Sequence, residues 1–95
     1  MAVKIIIKRR VPGNRAEELV PHLKQLRVLA MNQEGYIGGE TLKRIDDPDE
    51  FLVISTWQRI EDWKKWYQNE ERSRIQKEID ALLGKETEYA IYNYQ

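Results

Sequence analysis

Phe51-Leu52-Val53-Ile54-Ser55-Thr56-Trp57 is a run of β-branched and aromatic residues, and it reads as the clearest strand in the chain. Side chains alternate along a strand, so Phe51, Val53 and Trp57 point one way while Leu52 and Ile54 point the other. Both faces are therefore apolar. Just before this run, Asp46-Asp47-Pro48-Asp49-Glu50 has the composition of a hairpin connection, with Pro48 presetting a turn. The segment Tyr36 to Ile45 then becomes its antiparallel neighbour, with Gly38-Gly39 marking a bulge or a close approach.

Working outward, Gly35 suits a left-handed cap that ends a helix running from about Arg15 to Gln33. On that helix Ala16, Leu19, Val20, Leu23, Leu26 and Ala30 share one face at 100° per residue. Asn14 followed by Glu17 resembles a capping box, and Pro21 inside the helix is expected to kink it. The β-branched run Val3 to Arg9 reads as a first strand, ended by Pro12-Gly13. Beyond Trp57, a short helix spans Ile60 to Tyr67. After Gln68-Asn69 a longer one runs to Leu83, with Ile75, Ile79 and Leu82 inward and Gly84 as its stop. Glu88 to Tyr94 is the last strand.

The resulting order, β-α-β-β-α-β, is the ferredoxin-like α+β pattern with a four-stranded antiparallel sheet. Right-handed crossovers put both helical connections on one face of that sheet. On the last strand Ala90, Tyr92 and Tyr94 oppose Tyr89 and Ile91, so this strand too is apolar on both faces while the helices cover only one. A large apolar sheet face is rare on a monomer, so a two-fold partner is expected to cover it.

The chain has 95 residues, the length of one domain over 1–95, and a core this small gains from association. Without cysteine it has no disulfide, zinc-thiolate site or thiol nucleophile. Its 16 basic and 16 acidic residues cancel and neither sign forms a long run, which argues against nucleic acid as partner. No segment has the length or hydropathy of a signal peptide or membrane span, so the expected location is cytoplasmic, with no membrane partner. One histidine and scattered acids give no metal-ligand set, and Asp46 to Glu50 lacks the glycine and spacing of a calcium loop. Phosphate-cradling glycine loops and nucleophile elbows are absent too.

Three stretches carry a family resemblance: Gly35-Tyr36-Ile37-Gly38-Gly39-Glu40-Thr41-Leu42, then Asp46 through Trp57, then Glu61-Asp62-Trp63-Lys64-Lys65-Trp66. Together they resemble the antibiotic biosynthesis monooxygenase (ABM) domains of the dimeric α+β barrel superfamily. The resemblance implies a barrel built between two protomers and one pocket per protomer between helices and sheet. It also implies one of several chemistries: cofactor-free oxidation of phenols to quinones, oxidative haem cleavage, or turnover of quinols or signalling molecules.

Within that frame Trp66 matches the aromatic wall of the pocket, although Trp63 and Trp66 also read as a plain buried helical stripe. The haem-degrading branch implies an asparagine where Ile6 or Ile7 stands and an axial histidine where Gln76 stands, so the usual iron ligand is missing. His22, on the flank of the first helix's apolar face, is the natural general base near neutral pH, or else a surface residue. Arg27 projects from that apolar arc. It must snorkel, pair with a carboxylate such as Glu40, or face the pocket and hold an anionic oxygen. Arg72 lies on the inward side of the last helix with the same two readings. Tyr36, Tyr92 and Tyr94 are hydroxyl donors suited to a quinone oxygen, or core and interface residues.

The expected function is a cofactor-independent monooxygenase acting on an aromatic, phenolic or quinol compound. His22 and Arg27 would be catalytic, and Trp66, Arg72, Gln76 and Tyr92 would line the ligand pocket. No cofactor or metal is expected. The alternatives are a non-catalytic protein that binds a small hydrophobic ligand, and a haem-binding or haem-degrading protein.

Overall fold

In a computed structural model describing residues 1–95, the strand at Trp57 forms as expected and begins one residue earlier. The elements are β1 (Val3–Arg10), α1 (Ala16–Met31), β2 (Tyr36–Lys43), β3 (Glu50–Trp57), α2 (Ile60–Tyr67), α3 (Glu70–Leu83) and β4 (Glu88–Asn93). The sheet order is β2-β3-β1-β4 with every pair antiparallel, so the chain has the ferredoxin-like α+β fold.

Register sorts the side chains into two layers. Val3, Ile5, Ile7 and Arg9 on β1 pair with Trp57, Ser55, Val53 and Phe51 on β3, and this face lies under the helices. Ile5 and Trp57 from the sheet and Leu19 and Ile79 from α1 and α3 are the largest fully buried side chains. On the opposite face Ile6, Leu52 and Ile54 are half-buried and no helix lies over them, while Leu42 and Tyr92 are exposed.

Several local expectations need correction. Asn14 caps nothing, because it sits inside a short 3₁₀ turn, Gly13–Arg15, closed by a 2.8 Å bond from Arg15 N–H to the Pro12 carbonyl. α1 runs through Pro21 without interruption. The carbonyl that Pro21 fails to reach belongs to exposed Glu17, where water is available. The helix ends at Met31 rather than Gln33. The side chains of Asn32 and Gln33 fold back and donate to the Val28 and Leu29 carbonyls at 2.9 and 3.1 Å. β2 and β4 likewise stop short of Ile45 and Tyr94.

Both positive-φ glycines fall where caps were expected, Gly35 at +85° and Gly84 at +68°. The β2 register slips between Tyr36 and Gly38, so the bulge extrudes Ile37. Close approach belongs to Gly39, where an added Cβ would lie 2.9 Å from the Tyr36 hydroxyl.

α3 begins with a cap that went unread in the sequence. The Asn69 side chain accepts from the Arg72 backbone N–H at 3.0 Å. Asn69→Ala is therefore expected to lower stability by about 1 kcal/mol, and Asn69→Asp to retain most of it, as read by urea denaturation.

Candidate functional site

Between α1, α3 and the inner face of the sheet lies a cavity of about 200 Å³, with 12 hydrophobic residues among the 21 that line it. Its apolar wall grows from residues the strand and helix periods send inward: Leu23 and Leu26 from α1, Phe51, Val53 and Trp57 from β3, Trp66 from α2. Trp66 lies stacked against Trp57, ring centroids 6.5 Å apart and planes 24° apart. Tyr36 meets Trp57 edge-on at 5.3 Å. Together these rings form a packed aromatic wall, one pair stacked and one edge-on.

The polar side is cationic. Arg9, on the inward phase of β1, is 8% exposed, and Arg72 of α3 is 6% exposed. One Arg72 amino group donates to the Tyr67 carbonyl at 3.1 Å and the other to the Tyr89 hydroxyl. Its guanidinium also lies 4.5 Å from the Tyr67 ring centroid and 5.4 Å from that of Tyr89. Arg9 donates to the Gln76 side-chain carbonyl at 3.1 Å, but its Nε–H is buried with no partner. Gln76 in turn donates to Asp80 and Thr87, each at 2.8 Å. Burial holds the Arg9 guanidinium below the usual arginine value. Tyr89 and Asp80 oppose that effect, and Arg72 adds to it. Burial also raises the Tyr89 phenol, against the pull of Arg72 and Arg9, so its hydroxyl stays protonated at neutral pH.

Of the residues singled out in the sequence, the structure brings Trp66, Arg72, Gln76 and Arg27 to this cavity. Arg27 is exposed and makes no pair with Glu40 or any other carboxylate, which corrects the ion-pair reading. Two residues lie elsewhere. His22 turns from the sheet toward α3, its Nδ1 3.3 Å from Glu78 Oε2, because the buried line of α1 passes through Leu19 and Leu26. Tyr92 pairs with Lys4 in register and so stands on the outer sheet face, 57% exposed. Arg9 was missed. Its signal was present in the alternation Val3, Ile5, Ile7, Arg9, which carries a charge on the apolar phase.

Comparison with solved structures returns the same architecture. A conserved protein from Methanosarcina mazei Go1 superposes with a TM-score of 0.91 at 20% identity, over 100% of this chain and 94% of that one. SnoaB, a cofactor-independent oxygenase from Streptomyces nogalater, gives 0.81 at 15% identity, covering 99% and 93%. Rv0793 from Mycobacterium tuberculosis gives 0.86 at 9% identity, covering 100% and 96%. These likenesses establish the fold. No curated protein matches the sequence. The family model described as antibiotic biosynthesis monooxygenase matches residues 2–78, from the first strand into the last helix, and the chain belongs to that family.

Proposed function

We propose that the protein is a cofactor-independent monooxygenase that oxidises an aromatic, phenolic or quinol small molecule with molecular oxygen. The observation that carries this reading is the pairing of an aromatic wall, Trp57 on Trp66, with the buried guanidinium groups of Arg9 and Arg72 in one cavity. Membership of the family supports it.

The chemistry balances without a cofactor. A phenol loses its proton to water, and the phenolate reduces oxygen directly. Oxygen bonds to the ring carbon opposite the hydroxyl, and the peroxide collapses to a quinone and water. One oxygen atom ends in the new carbonyl. The other leaves as water with the hydroxyl and ring hydrogens, and the substrate supplies all the electrons. What the protein contributes is stabilisation of the anion. Fixed cations in a site shielded from water favour the phenolate more than water does, without reorganising when it forms.

That account needs no histidine. His22→Ala is expected to leave turnover within about 2-fold of wild type and to change stability by less than about 0.5 kcal/mol, since its Glu78 partner is exposed. A larger fall in rate would restore His22 as the base.

Oxygen-electrode measurements with a panel of hydroxyaromatic and quinol compounds test the activity. Uptake with quinone formation supports it. A panel that binds without consuming oxygen would instead favour the non-catalytic ligand-binding reading, whose one support is that Glu40 is the only carboxylate on the cavity lining. Haem fits less well. Gln76 offers no imidazole, and both ends of its amide are engaged by Arg9, Asp80 and Thr87.

The reading includes a homodimer working in the cytoplasm. The uncovered apolar residues of the outer sheet face support the dimer. Sedimentation at micromolar concentration is expected to give the mass of two chains.

A further inference from the structure

The chain as a whole is electrically neutral, but the cavity is not. Arg9, Lys24, Arg27 and Arg72 line it against the single carboxylate of Glu40, a surplus of three positive charges. All seven ion pairs of the protein involve other residues, so none of these four cations is neutralised within 4.0 Å. Two of them, Arg9 and Arg72, are buried, where an uncompensated charge is costly. Lys24 and Arg27 are exposed on α1, where it lines the cavity. Further signs of an absent acceptor lie on the same wall. Arg9 Nε–H has no partner, and Tyr89, whose oxygen accepts from Arg72, has no acceptor in the chain for its own proton.

We infer that the ligand is a small aromatic acid, a one- or two-ring compound carrying a carboxylate as well as the hydroxyl that is oxidised. This rests on the proposed function and narrows its substrate class. A phenolate alone offsets one charge of the surplus. A carboxylate is already ionised at neutral pH and matches the flat fork of a guanidinium, so it supplies a second negative charge at no cost in proton removal. Aromatic rings on the apolar side explain why a bare inorganic anion would leave most of the cavity unfilled. Size sets the ring count, because about 200 Å³ falls below the roughly 300 Å³ at which pockets for drug-sized molecules begin. The exposed Lys24 and Arg27 draw the anion toward the cavity, raising its rate of arrival more than its final affinity.

The test compares a hydroxynaphthoate, its hydroxyl and carboxylate on separate rings, with the amide of the same skeleton, by calorimetry without oxygen. Wild-type protein is expected to bind the acid at least about 30-fold more tightly than the amide, the range measured for close charge pairs at interfaces. In Arg9→Met and in Arg72→Met that preference falls to within about 3-fold. Equal binding of acid and amide by the wild type overturns the inference, as does a preference that survives both substitutions. Should neither variant fold, the wild-type comparison alone decides. Oxygen uptake separates this inference from the reading beneath it. Tight, selective acid binding without uptake supports the acid and sinks the oxygenase. Uptake with the amide and no preference for the acid does the reverse.

Discussion

Gly35→Ala is expected to cost more than about 3 kcal/mol of stability, while Gly38→Ala, three residues along the chain, costs less than about 0.5 kcal/mol. Two effects combine at Gly35. Its φ of +85° lies in the left-handed region that an L side chain enters only with strain. A Cβ there would also overlap the side chain of Asp62 on α2. Asp62 has no room to yield. It is 3% exposed, and both its oxygens are held by Arg59, at 3.3 Å from Nε and 3.1 Å from Nη2. The Gly35 carbonyl accepts from Gln58 N–H at 2.7 Å, so the backbone is tied to the end of β3 as well. At Gly38 nothing lies within 4 Å of an added Cβ and φ is not positive. For a domain of this size a 3 kcal/mol loss lowers the melting temperature by about 12 °C or more. Melting within about 2 °C of wild type would show that α2 moves aside freely, contrary to the packing described.

Arg9→Met is expected to separate stability from function. Melting should be unchanged or improved, by up to about 1 kcal/mol, since a buried cation without a carboxylate partner is replaced by an apolar chain of similar length. Gln76 loses one donor, the 3.1 Å bond from Arg9, but keeps both bonds from its own amide to Asp80 and Thr87. Turnover should move the other way. If the cationic wall holds the substrate anion, removing one of its two buried members lowers kcat/KM about 100-fold, the scale of losing one preorganised donor. Denaturation and steady-state kinetics on one preparation check both arms. A destabilisation beyond about 2 kcal/mol would make Arg9 a structural residue whose bond to Gln76 matters more than its charge.

Much of the fold was legible because it rests on local rules. The strand at Trp57 announces itself by β-branched residues and a proline turn, and the glycines at 35 and 84 by the helices they end. Boundaries slipped where side chains compete with the backbone. Asn14 was drawn into a turn, and Asn32 and Gln33 closed α1 two residues early. Pro21 failed to interrupt its helix because the carbonyl it abandons faces water.

The site was less legible. Residue type drew attention to His22, but a helical wheel locates a flank residue only to within the arc that two neighbouring elements share. Here α3, not the sheet, lies on that side. Tyr92 was misplaced because strand alternation gives two faces without saying which one the helices take. Register with Ile5 and Ile7 decides that Tyr89 is inside and Tyr92 outside.

By itself the sequence determined the order of elements, the ferredoxin-like class, the left-handed glycines and the presence of an aromatic stripe, since each follows from backbone preference or side-chain period over a few residues. Only the tertiary structure decided where the charge sits. Arg9, Lys24, Arg27 and Arg72 come from a strand and two helices far apart in the chain, and they gather around one cavity while every carboxylate but that of Glu40 stays outside it. A charge balance summed along a chain cannot reveal that separation, because electrostatic energy depends on distance through the fold and on burial, not on position in the sequence.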